Sequence, residues 1–141
     1  MHIIGILRFG VSMQPHGSYT LTRKDQAVIV KAFGAWNFET AENCGKEFIK
    51  LVCELRHKPW GCLLDLTEWD LFTPDASACL HELNKWSGNN NQKYEVVVCD
   101  SPTQHALIEK DHDVLLNVET KFCENIEQAY LWLESVGVIK T

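Results

Sequence analysis

The chain has 141 residues, 45% of them hydrophobic with five Trp and six Phe, which suits one globular domain with a core of its own. A net charge of −6, with Lys and Arg scattered among the acids, provides no basic stripe for a phosphate backbone and argues against nucleic acid as a partner. No apolar run approaches the roughly 20 residues of a membrane-spanning helix, so the expectation is a cytoplasmic protein with no membrane span.

Residues 1–17 read as an N-terminal arm or extra strand, and residues 18–141 as a single domain. Met1 to Phe9 sets Ile3, Ile4, Ile6 and Leu7 between His2 and Arg8. It has neither the basic leader nor the small-residue cleavage site of a secretory segment. Met13, just before Gln14-Pro15-His16-Gly17, is a second candidate for the start of translation.

Tyr19 to Lys24 alternates as a strand, Asp25-Gln26 makes a turn, and Ala27 to Phe33 continues as a second strand ending at Gly34, forming a hairpin. From Thr40 to Arg56, Ala41, Cys44, Phe48, Leu51, Val52 and Leu55 recur at the spacing of one helical face. That helix should stop near Pro59, which disfavours helical geometry at Lys58. Trp60 to Leu66 is almost wholly apolar, as a central strand covered on both faces must be. A loop from Thr67 follows. Thr73 then caps a second helix, with Pro74 in its first position, Asp75 in its first turn and Ala76, Cys79, Leu80 and Leu83 as its buried stripe.

Gly88 to Asn91 ends that helix, and Tyr94 to Cys99 is another core strand. Asp100 or Ser101, with Pro102, opens a short helix to about Lys110, and Val114 to Phe122 holds a last, weaker extended segment. Asn125 with Gln128 has the form of a capping box. Ile126, Ala129, Tyr130, Leu133 and Val136 line the inner face of the final helix, with Trp132 roughly opposite them and facing a dimer or a crevice.

The six cysteines lie within apolar helix and strand patterns, without the clustered spacing of a disulfide scaffold, and read as reduced, buried thiols. Cys53 and His57 share helical spacing but lack two further ligands, so no metal site is expected. Cys99, His81, His105 and His112 offer nucleophile and base types without motif spacing. Asp111-His112-Asp113 reads as a solvated turn.

The order of these elements, with Asp65-Leu66-Thr67 closing the central strand and Ala129-Tyr130-Leu131-Trp132-Leu133 in the last helix, resembles the SpoIIAA-like branch of STAS domains, the anti-sigma-factor-antagonist type. The likeness runs from about Tyr19 to Val138. It implies an α/β fold with a small mixed sheet of four to five strands, about four helices packed mainly on one side, and a role in binding partner proteins or small ligands. In antagonist members a serine at the start of the helix after this strand is phosphorylated, and its charge controls binding to a partner kinase. The hallmark Asp-Ser-Ser-Gly is absent here; the nearest hydroxyls, Thr73 and Ser77, are the candidate phosphorylation positions. Thr73 as a plain helix cap is the stronger reading, since Asp75 would repel a phosphate. Asp65 and Asp100, beside Thr67 and Ser101, faintly resemble the acidic pocket of a phosphoacceptor receiver domain. That fold needs a further acidic pair after its first strand, where Ala35-Trp36-Asn37 stands.

The leading expectation is a non-enzymatic regulatory or interaction module without cofactor, binding a protein partner or a second copy of itself through residues 67–75 and the following helix start. Asp65, Thr67, Trp69, Leu71, Phe72, Thr73 and Asp75 are the candidate contact residues, since aromatic and apolar side chains beyond a core strand either plug the core or face a partner. The alternative is an apolar or lipid-like ligand in a crevice near Trp69–Phe72. Enzymatic cysteine or metal chemistry comes third.

Overall fold

The computed structural model describes residues 14–115 and 117–140. The expected arm at Met1–Met13, and with it the choice of start, lies outside the described residues. The elements in order are β1 (Ser18–Lys24), β2 (Ala27–Trp36), α1 (Phe38–Val52), β3 (Trp60–Phe72), α2 (Pro74–Gly88), β4 (Gln92–Val98), α3 (Pro102–Asp111), β5 (Glu119–Cys123) and α4 (Ile126–Ser135).

One sheet runs β1-β2-β3-β4-β5, with β1 antiparallel to β2 and all later neighbours parallel. Asp25, at φ 53°, makes the tight β1–β2 turn, a left-handed conformation that a short polar side chain tolerates. The chain then crosses between adjacent parallel strands three times in the same direction, so right-handed crossovers must lay α1, α2 and α3 on one face. The first core confirms it: Val30, Cys62, Leu66 and Val97 of the sheet pack with Ala41 and Phe48 of α1, Ala76 of α2 and Ile108 of α3. Helix α4 comes after the last strand and closes the opposite face, where Ala129 and Leu133 pack on Leu63, Val96 and Val98. Gly61 permits this approach, because a β-carbon there would meet Val138, Tyr94 and Leu133 atoms at 3.2 to 3.4 Å.

Capping fixes where three helices begin. Asn37 accepts the amide of Thr40 and starts α1 at Phe38, two residues ahead of the expected Thr40. Ser101, not Asp100, caps α3 by accepting from Gln104. Asn125 accepts from Gln128 at the start of α4. The fourth differs from expectation: Thr73 occupies the cap position of α2 but makes no side-chain cap bond, and its hydroxyl donates instead to Asp75 Oδ1 at 2.7 Å.

The largest departure is β3, which does not give way to a loop at Thr67 but runs on to Phe72. Beyond Asp65 it stays paired with β2, as Phe33 to Glu68, Gly34 to Trp69, Ala35 to Leu71 and Trp36 to Phe72. Two register shifts, after Lys31 and after Gly34, each put an extra residue into β3. Bulges of this kind break the period of two while the ladder continues. They return Trp69 to the core face and leave Thr67, Glu68 and Asp70 exposed.

No helix among the described residues is long and apolar enough to cross a membrane.

Candidate functional site at the end of the central strand

Strand β3 brings the expected contact residues to one end of the sheet, in three different environments. Asp65 is buried, and its Oδ1 accepts both the amide (3.0 Å) and the hydroxyl (2.7 Å) of Thr67. Lys31 Nζ lies 3.9 Å from Asp65 Oδ2 and 2.8 Å from Glu68. Those acids, Glu68 foremost, hold the Lys31 ammonium above its ordinary value. Asp65 is thus engaged within the sheet, while Asp100 is exposed after β4.

The three large apolar residues separate. Trp69 is 3% exposed and packs on Phe72 with ring centroids 4.6 Å apart, and Phe72 packs edge-on to Trp36. Both therefore plug the end of the core, and Trp69 is a core residue, not a surface contact. Leu71, between them in sequence, points out and is 47% exposed. It stands two residues before Thr73, where α2 begins, with Asp75 half-buried in the first turn and Ser77 one turn in. A phosphoryl group on Thr73 would lie against the Asp75 carboxylate that its hydroxyl now meets.

Below this end, on the α1–α3 face, is a buried polar cluster that sequence reading missed. Glu95 of β4 and His112, just past α3, meet at 2.6 Å, with side chains 5% and 8% exposed. His112 Nδ1 lies 2.9 Å from the Ile108 carbonyl, which can only accept, so Nδ1 carries a hydrogen and the Glu95–His112 contact shares one further proton. Gln92 donates to the other Glu95 oxygen at 2.7 Å. His112 is thus a buried anchor for the end of α3, not part of a solvated turn. Asp113, next to it, is exposed.

This pair borders a cavity of about 70 Å³ walled mainly by apolar side chains, Trp36, Phe72 and Leu80 among them. At about 30 Å³ per molecule, that is room for roughly two waters, far below the ~300 Å³ at which ligand pockets begin. A lipid-like molecule does not fit it as it stands. A larger feature lies outside, an open groove of about 370 Å³ between α1 and α2, with Asp75 at its edge.

The cysteines divide by burial. Cys44, Cys62, Cys99 and Cys123 are buried, Cys79 is half-buried, and Cys53 is exposed, against the expectation of six buried thiols. Burial pushes the Cys44 thiol up to about 12, with Cys79 adding to the shift. Burial, reinforced by the nearby Glu95 carboxylate, raises Cys62 well above its ordinary value. Burial likewise raises Cys79, Cys99 and Cys123. Thiols held protonated are poor nucleophiles and poor metal ligands. Among the described residues, no three His, Cys, Asp or Glu side chains converge as a metal site.

A mixed five-stranded sheet with three crossover helices on one face and a closing helix on the other defines an α/β domain of the SpoIIAA-like type. Known structures agree. The fold matches an uncharacterized DUF3478-family protein with a SpoIIAA-like fold from Shewanella loihica PV-4, with TM-score 0.67 and 19% identity over 86% of this chain and 97% of that one. It also matches the unphosphorylated anti-sigma factor antagonist SpoIIAA, with TM-score 0.59 and 9% identity over 86% of this chain and 100% of that one. An anti-sigma factor antagonist from Mycobacterium paratuberculosis aligns with TM-score 0.57 and 10% identity over 84% of this chain and 95% of that one. No protein-family model matches the chain, and no curated protein matches its sequence. The chain has the SpoIIAA-like fold.

Proposed function

We propose that this protein is a non-enzymatic, cytoplasmic regulatory module that binds a protein partner through the end of β3 and the start of α2. The observation that carries the reading is Leu71, a large apolar side chain 47% exposed beside Thr73 and Asp75, on a segment whose other apolar residues fold inward. An exposed leucine held by a paired strand is presented at little ordering cost, as a contact residue should be. The likeness to anti-sigma factor antagonists supports a role exercised on another protein. The raised thiols and the enclosed Glu95–His112 pair favour binding over catalysis. An apolar small ligand is the weaker reading, because the cavity beside Phe72 has room for only about two waters.

The test is affinity capture from the native cytosol with the full chain and two leucine variants. Leu71→Glu should lose the captured partner, and Leu131→Glu, at a leucine 65% exposed on α4, should keep it. A partner kept or lost equally by both variants would refute the assignment.

A further inference from the structure

The end of the sheet opposite Leu71 carries a different opening. Where α1 and α2 finish and β3 and β4 begin, an open cleft of about 750 Å³ is lined by Cys53, Arg56, His57, Asn90, Asn91 and Lys93, among others. That volume lies within the roughly 300–1,000 Å³ typical of ligand sites. The chain as a whole has a net charge of −6, yet no Asp or Glu among the described residues lines this cleft. Glu54, next to Cys53 in sequence, is engaged by Arg23 at 3.6 Å.

The walls are tied together without neutralising the cations. Asn91 Nδ2 donates to the Arg56 carbonyl at 3.2 Å, and the amide and indole N–H groups of Trp60 donate to the carbonyls of Asn91 and Asn90. Arg56 Nη1 donates to Asn90 Oδ1 at 2.8 Å, so a neutral amide and not a carboxylate orients the guanidinium. Its Nε–Nη2 edge is left to offer two parallel donors. Among the described residues no ion pair involves Arg56, His57 or Lys93. Helix C-termini attract cations on their own account, and both α1 and α2 end here, each with roughly half a negative charge. Together they offset about one of the two full charges on Arg56 and Lys93, so the cleft stays positive before His57 is counted.

We infer that this cleft binds a soluble phosphate monoester, with the Arg56 guanidinium taking two phosphate oxygens and Lys93 and His57 completing the charge. A planar guanidinium fork matches two oxygens of one phosphate, and a lysine serves as a point charge beside it. An open, polar cleft suits a hydrated dianion, whereas the enclosed cavity beside Phe72 does not. The site lies at the far end of the sheet from Leu71 and does not depend on the partner reading.

The full chain is titrated by calorimetry at low ionic strength with three probes: glycerol phosphate, glycerol, and phosphatidylcholine vesicles doped with phosphatidic acid, which present the same phosphate chemistry on a lipid. Glycerol phosphate should bind and glycerol should not. Arg56→Gln and Lys93→Gln, with unchanged circular dichroism, should each weaken binding by about tenfold, whereas Lys46→Gln, at a lysine outside the cleft, should stay within about twofold. Cys53 gives a second readout from within the cleft. Saturating glycerol phosphate should slow its alkylation by iodoacetamide severalfold in the wild-type chain and leave the rate unchanged in Arg56→Gln. An equal loss in all three variants, no binding of glycerol phosphate at millimolar concentration, or an unaltered Cys53 rate overturns the inference. Binding of the vesicles without binding of glycerol phosphate also overturns it, in favour of a lipid headgroup.

Discussion

Replacing His112 by alanine strips Glu95 of its 2.6 Å partner inside the protein, at a site where the two side chains are 5% and 8% exposed. Glu95 keeps the Gln92 amide at 2.7 Å, but the oxygen that met His112 loses its partner at a site walled mainly by apolar side chains. Breaking a buried pair by removing one partner costs about 3–5 kcal/mol, whereas replacing both partners with apolar residues is often close to neutral. Against the roughly 5–15 kcal/mol that holds a domain of this size folded, the single substitution removes a large share of stability. At about 2–4 °C per kcal/mol, Tm should fall by roughly 6–20 °C. Urea denaturation followed by circular dichroism measures the loss directly. Glu95→Leu combined with His112→Leu should recover most of what either change alone destroys. A loss below about 1 kcal/mol for His112→Ala, or additive effects in the double variant, would refute the buried pair.

Other consequences follow from the same geometry. Asn37 is 7% exposed, accepts the amides of Thr40 and His16 and donates to the Gln14 carbonyl. Asn37→Ala should therefore cost about 2 kcal/mol in chemical denaturation, the upper end for a helix cap; a change within about 0.5 kcal/mol would contradict the capping. In the native protein near neutral pH, Cys53 should react first with a thiol reagent while Cys44 and Cys62 react only on unfolding, as peptide mapping by mass spectrometry would show. Cys44 is also raised from an ordinary value near 9 to about 12, so the unfolded chain releases that proton first. Its contribution to stability is full below pH 9 and falls as pH rises towards 12. Denaturation midpoints should drop across that window, and less steeply in Cys44→Ala; equal slopes would argue against the buried thiol.

Much of this fold is legible in the chain because its patterns are local. The hairpin turn at Asp25-Gln26, the apolar run of Trp60 to Leu66 and the Ala129–Leu133 stripe each declare an element without help from the rest. Strand β3 is misread beyond Leu66 because two extra residues opposite β2 spoil its alternation; the pairing of Trp36 with Phe72 that sustains it joins residues far apart in sequence. Thr73 was legible as a cap position, but that its hydroxyl would turn to Asp75 was not. His112 sits in a charged triplet that looks solvated, and its partner Glu95 lies 17 residues away on another element. The one advance signal was an acid in the apolar strand Tyr94 to Cys99, since a buried carboxylate needs a partner.

The most direct test of the account is amide hydrogen exchange on the full chain, alone and with its captured partner. Added protection should concentrate at residues 70–79, the end of β3 and the start of α2. Protection confined to α4 and β5, with residues 70–79 unchanged, would contradict it.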